Sequence, residues 1–198
     1  MNKNIITLFL VLFAFQSFAL AEIKTYIKEY TYQASEDDSR NSSRVTAMRQ
    51  VKRLLLEELG TYLESITEVK NFELTKDQIT SLTGGIVKTE IIDENWNGKI
   101  YWIKTKIVAD KDDVIKSIDS LRKDRDKSKE LEDVKKRADA ILEENKKLRI
   151  ELAHASGIAK LEVQQRYDTS IKELSALEWF ENGYRSYEKG DHQGSIYN

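Results

Sequence analysis

Two histidines, His154 and His192, and no cysteine are what this 198-residue chain offers for soft metal ligation or thiol chemistry. Without cysteine there is no disulfide, thiolate zinc site, iron–sulfur cluster, thiol nucleophile or lipid-anchoring cysteine. Carboxylates close in sequence are the next candidates: Asp110, Asp112 and Asp113, then Glu57-Glu58 and Glu143-Glu144. The three aspartates fall where a helix is expected to begin, and acids there complement the helix dipole. The glutamate pairs fall on solvated helix faces, and a catalytic carboxylate pair would need a pocket and shifted acidity. Gly84-Gly85 lacks the spacing of a phosphate cradle. A Walker loop, a Gly-x-Ser-x-Gly elbow, a His-Glu-x-x-His pair, a calcium loop and a dinucleotide fingerprint are all absent from the sequence. The expectation is a non-enzyme: no catalytic residue, no metal ligand and no cofactor. The net charge of −2, from 32 basic and 34 acidic residues, gives no bulk attraction to nucleic acid.

The elements that surround these residues begin with an address. Met1 to Asn4 carries one lysine, Ile5 to Phe15 is almost wholly apolar, and Ala19-Leu20-Ala21 fits a small-x-small cleavage site. That is the pattern of a secretory signal peptide over residues 1–21, cut after Ala21. The apolar run is about half the ~20 residues of a membrane span, and no second run of that length follows. The mature chain is expected in the periplasm or otherwise exported, without a stable membrane span.

Residues 22–120 read as a small α+β docking domain in the order β-α-β-α-β-β-α. Ile23 to Ala34 places Tyr26, Tyr30 and Tyr32 at period two, a strand signal. Ser35 with Asp38 has the form of a capping box. After it, Val45, Met48, Val51, Leu55, Leu59 and Tyr62 make one helical stripe, with Arg49, Lys52, Arg53, Glu57 and Glu58 on the remaining faces. Ile66 to Leu74 is expected as a second strand. Thr75 with Gln78 opens a short helix that Gly84-Gly85 should end. Ile86–Asn95 and Lys99–Ala109 form a hairpin about Asn97-Gly98, a pair that favours a type I′ turn. Asp110 then caps a further helix.

Ser39-Arg40 through Glu58, Leu82-Thr83-Gly84-Gly85-Ile86-Val87, and Trp96-Asn97-Gly98 to Ala109 together resemble the N-terminal domain family of flagellar assembly protein T and related surface lipoproteins. The resemblance covers roughly residues 22–120. It implies an extracytoplasmic docking module with no catalytic residue. This chain departs from the lipoprotein members in lacking the anchoring cysteine.

Residues 121–175 are expected to form a charged helical stalk. From Asp110 to Glu173 there are 16 basic and 16 acidic residues, which suits solvated helix faces. Leu131, Val134, Ile141, Asn145 and Leu148 recur at steps of three and four. With Leu131 at heptad position a, Asn145 also falls at a, where asparagine fixes register in a parallel pair. The expectation is a parallel homodimer through residues 128–156; the alternative is a helix that packs on its own chain or stands alone. Arg122 to Lys129 has no apolar residue and reads as a neck. Gly157 breaks the pattern, as a hinge or as a turn into an antiparallel helix.

Residues 176–198, from Ala176 to Asn198, resemble the first helix and turn of a tetratricopeptide repeat, an incomplete unit of a motif about 34 residues long. Trp179 and Gly183 hold the aromatic and small positions, Tyr187 a later aromatic, and Gly190-Asp191 the turn; Asn182 and His192 depart from the usual residues. These side chains are expected to pack repeats, not to contact ligand. The resemblance implies a longer repeat protein that scaffolds proteins of the cell envelope. Two other readings stand beside it: a polymer-binding protein or enzyme of the envelope using Trp96, Tyr101 and Trp102, and a coiled-coil spacer.

Overall fold

The computed structural model describes residues 23–188. The expected signal peptide and Gly190 lie outside them. Strand β1 (Ile23–Gln33) pairs antiparallel with β3 (Ile100–Asp110) along its whole length, from Ile23 opposite Asp110 to Gln33 opposite Ile100. Strand β2 (Thr89–Trp96) pairs antiparallel on the other side of β3, so the sheet order is β1-β3-β2. The expected alternation holds. Tyr101, Ile103, Thr105 and Ile107 are buried on one face of β3, with Tyr26 and Tyr32 of β1 beside them. The hairpin forms at Asn97-Gly98, but its turn is not type I′. Gly98 has φ of 93°, whereas Asn97 does not take a positive φ. Its Oδ1 instead accepts hydrogen bonds from the amides of Lys99 and Ile100, at 3.0 and 2.8 Å, the local side-chain turn that asparagine favours.

Helix α1 (Arg40–Glu64) lies under β1 and β3. Its cap is Ser39, reciprocated by Ser42, not the expected pair Ser35 and Asp38. Met48, Val51, Leu55 and Leu59 face the sheet side of the core, while Val45 turns away and packs among residues of the last two helices. The expected second strand does not form. Residues Thr67–Lys70 make a four-residue helix, α2, and Glu73 at φ 57° reverses the chain. Ile66, Val69 and Phe72 are spaced by three, so one side of a helical turn meets the core; a strand would have sent alternate residues to opposite sides. Thr75 and Gln78 cap α3 (Lys76–Ile86) as expected. Gly84 and Gly85 sit inside that helix. A Cβ on Gly85 would lie 2.8 Å from both methyls of Leu131, so the glycine admits the later helix that carries Leu131 instead of ending its own.

Asp110 caps α4 (Lys111–Lys123), accepting from the amides of Asp112 and Asp113. Asp124 caps α5 (Arg125–His154), and α6 (Gly157–Glu188) follows after Ala155 and Ser156, with Gly157 at φ 58°. The neck is thus a capped corner, where Ser128 Oγ donates back to the Leu121 carbonyl. Contacts from Arg137 to Glu173, from Ser170 to Asn145 and from Arg166 to Glu151 run in opposite directions along the two helices. They form an antiparallel hairpin. It packs on α1 and α3, on the side of α1 away from the sheet. The chain is therefore a mixed α/β fold, with a three-stranded antiparallel sheet followed by helices. Its order is β-α-α-α-β-β-α-α-α.

This arrangement replaces the free stalk. Leu131, Ile141, Asn145 and Leu148 are buried and Val134 half-buried. Leu131 joins the core under the sheet, and Ile141 and Leu148 pack against α6 of the same chain. Asn145 Oδ1 accepts from Ser170 of α6, the role in which a second chain was expected. The apolar row is covered from within because α6 supplies a matching one: Tyr167, Ile171 and Leu174. Asn145→Leu is accordingly expected to leave the sedimentation coefficient of the mature chain unchanged, because Ser170 keeps its bond to the Tyr167 carbonyl. A change of oligomeric state in sedimentation velocity would show instead that this row meets a second chain.

Candidate functional site

The hairpin of α5 and α6 is pinned to the sheet domain by two clusters of buried charge. The first gathers on Asp38, whose side chain is fully covered. It accepts from the amide and hydroxyl of Ser35 at 2.8 and 3.0 Å, from Tyr32 at 3.1 Å and from Ser42 at 3.2 Å. Tyr167 of α6 donates to it as well. Arg149 of α5 pairs with it at 3.2 Å and lies 4.8 Å over the Tyr32 ring. Burial, together with the Asp38 carboxylate, pushes the Tyr32 hydroxyl up to about 12. The Tyr167 hydroxyl moves up further for the same reasons. Both phenols stay protonated donors.

The second cluster gathers on Glu181 of α6, which is 7% exposed. Arg49 Nη1 lies 3.1 Å from each of its oxygens, and Lys52, 3% exposed, donates to it too. Arg49 also donates to the Leu174 carbonyl. Arg185, one turn beyond Glu181, donates to the Gly84 carbonyl of α3 at 3.2 Å and to Asn182. Burial alone would raise the pKa of Glu181. Lys52 and Arg49, with Arg185 behind them, outweigh it and hold the carboxyl below its ordinary 4.5. Arg49 and Lys52 fell on the polar side of the α1 stripe in sequence. They are buried because α6 covers that side.

Beside this cluster lies a cavity of about 620 Å³, bounded by α1, β2 and the last turns of α6. Arg44 and Lys52 line it from α1, Lys88 to Ile91 from the start of β2, and Glu178, Asn182 and Arg185 from α6. It lies where α1, packed mainly under β1 and β3, leaves the start of β2 less covered. β3 buries every second residue, whereas β2 buries none. Arg44 pairs with Glu94 at 2.9 Å, and Glu90 with Lys106 at 3.2 Å. Thr89 Oγ1 is buried without a hydrogen-bond partner.

The residues singled out in sequence are dispersed. Trp179 is 58% exposed on α6, and Gly183 is half-buried one turn on. Tyr187 belongs to the last turn of α6, and Gly190 lies outside the described residues. The hairpin aromatics do not share a face. Tyr101 is buried, donates to Glu94 at 2.7 Å and tilts against Trp96 at 6.0 Å. Trp102 sits on the opposite face, donating to Glu29 at 3.3 Å. Glu57, Glu58, Glu143 and Glu144 all pair with surface cations. Among the described residues no group of three or more His, Asp or Glu is placed to hold a metal ion.

Sequence reasoning missed Asp38, Arg49, Lys52, Tyr167 and Glu181. The available signal was Tyr167 and Glu181 falling among apolar residues of α6 at helical spacing, which predicts burial and therefore partners for them. Glu181→Gln keeps the shape and leaves buried Arg49 and Lys52 without their ion-pair partner, so it should cost about 3–5 kcal/mol in urea unfolding. Lys52→Met in that background should recover part of the loss. Because the folded-state pKa of Glu181 is depressed, its contribution is complete above about pH 4.5, its unfolded value, and is lost as pH falls through the lower folded value. Glu181→Gln should flatten stability against pH in that acid range; an unchanged slope would remove the carboxylate from the account.

Comparison of the chain with protein-family models, curated proteins and solved structures gave no match, so the geometry and the residues carry the functional reading.

Proposed function

We propose that the chain is an exported, non-enzymatic protein–protein interaction module of a bacterial envelope. In this reading its α/β body docks one partner and its last helix opens a tetratricopeptide-type segment. The observation that carries it is the outer face of α6. Ile158, Leu161 and Trp179 are 77%, 70% and 58% exposed. Leu161 and Trp179 are 18 residues apart, which is about five helical turns, so they stand in line on one face. Ile158 with Leu161 near the start of α6, and Trp179 with Phe180 near its end, are the exposed apolar contacts this reading assigns to a partner protein. Trp179 with Gly183 one turn on is also the pairing of large and small residues against which a following repeat helix would pack. The dispersed hairpin aromatics give the polymer-binding reading no comparable surface.

Export supplies one check. The mature protein recovered from a secreting bacterial host should begin at Glu22, read by intact mass. Retention of residues 1–21 would remove the exported reading. Recognition supplies the other. A photo-crosslinking residue at Leu161 or Trp179 should give discrete protein adducts in cells, and one at the exposed polar position Lys136 should give none. Equal adducts at all three positions, or none at any, would contradict a recognition face on α6.

A further inference from the structure

The cavity beside Glu181 has the form of a strand-accepting groove. We propose that it binds an extended acidic segment of a partner protein, added as a fourth strand along the free edge of β2. The proposal rests on the reading of the chain as a recognition module and names a second surface of it, distinct from the outer face of α6.

Three observations converge on Lys88 to Ile91. The first is the edge itself. Among the described residues β2 has β3 on one side and no strand on the other, so its outward backbone groups are a template for another strand. Further along, the edge is blunted by a bulge between Ile91 and Asp93 and by the Asp93 carboxylate, which takes the Glu94 amide at 2.9 Å. The stretch left plain is the one that lines the groove. β1 is also an edge strand among the described residues, but it does not line this groove.

The second observation is the wall opposite. The last turns of α6 face the start of β2 across the 620 Å³ space. That volume is within the ~300–1,000 Å³ of ordinary ligand sites. An edge strand facing a helix across such a gap is the setting in which main-chain pairing gives affinity and side-chain pockets give selection. Exposed Ile91 and the unpartnered Thr89 hydroxyl supply one apolar and one polar contact in the lining.

The third observation is charge. The lining holds four cations, Arg44, Lys52, Lys88 and Arg185, against two carboxylates, Glu90 and Glu178. Counting the ion-pair partners Glu94, Glu181, Arg49 and Lys106 leaves the same excess of two positive charges. The chain as a whole carries −2, so this excess is local. Lys88 is exposed and has no ion-pair partner among the described residues. An acidic segment satisfies it; a basic one meets repulsion.

The test is fluorescence anisotropy with the mature chain and three labelled octapeptides: alternating Glu and Thr, alternating Lys and Thr, and the acidic one with alternate amides N-methylated. The acidic peptide should give a saturable signal and the basic one none. N-methylation, which removes strand hydrogen bonds and keeps the charge, should weaken binding at least tenfold. Lys88→Glu should also weaken it at least tenfold, with an unchanged melting curve. Equal binding of the acidic peptide with and without N-methylation would overturn strand addition in favour of a plain anion site. No binding of any peptide, or indifference to Lys88→Glu, would overturn the groove. Crosslinking from Leu161 and Trp179 reads the wider function independently, so loss of the groove alone leaves that function standing.

Discussion

One carboxylate, Glu181, sits out of water between two cations that belong to a helix more than a hundred residues earlier. Charges taken from water are held only when their partners are fixed, so this contact commits α6 to one position on α1. The Asp38 cluster does the same just before the N-terminus of α1, with Tyr167 and Arg149 reaching in from both arms of the hairpin. Between them the apolar residues Val45, Ile141, Leu148, Ile171 and Leu174 fill the interface. Apolar packing supplies the non-directional part of the attraction, and the charge clusters supply the register. The cavity beside β2 follows from that position, since α6 forms its far wall.

The sequence made some elements legible because their signals are local. The hairpin strands about Asn97-Gly98, the Thr75 and Asp110 caps and the sheet-facing residues of α1 all follow from neighbours within a few positions. The failures share a cause. Arg49 and Lys52 look solvated because a period of 3.6 assigns them to the polar side, and nothing nearby says that a later helix will cover it. Leu131 to Leu148 show that a partner helix exists but not whether it belongs to the same chain; α6 answered that only by carrying Tyr167, Ile171 and Leu174 in reach after a tight turn. At Ile66 to Leu74 the spacing of three was present and β-favouring composition obscured it. Asp38 looked like a cap because it does meet Ser35, yet its other bonds come from residues as distant as Tyr167.

The charged composition of the helical half takes on a different meaning in this fold. Most of its ions are surface pairs such as those of Glu143 and Asp119, worth little individually. The few that matter are those the fold covers. Among the described residues the same burial leaves two surfaces open: the outer face of α6, where apolar side chains are exposed, and the strip along β2, where the strand edge and Lys88 are exposed. A recognition protein needs surfaces of this kind held by a rigid body, and the clamp supplies the rigidity.

Small-angle scattering of the mature chain in dilute solution tests the clamped arrangement most directly. With the hairpin folded back on α1, a chain of this length should show a radius of gyration of roughly 16 Å and a single-peaked distance distribution. An arm standing free, with the 30 residues of α5 alone spanning about 45 Å, would raise the radius well beyond that and stretch the distribution into a long tail. That second profile would contradict the buried contacts of Glu181 and Asp38.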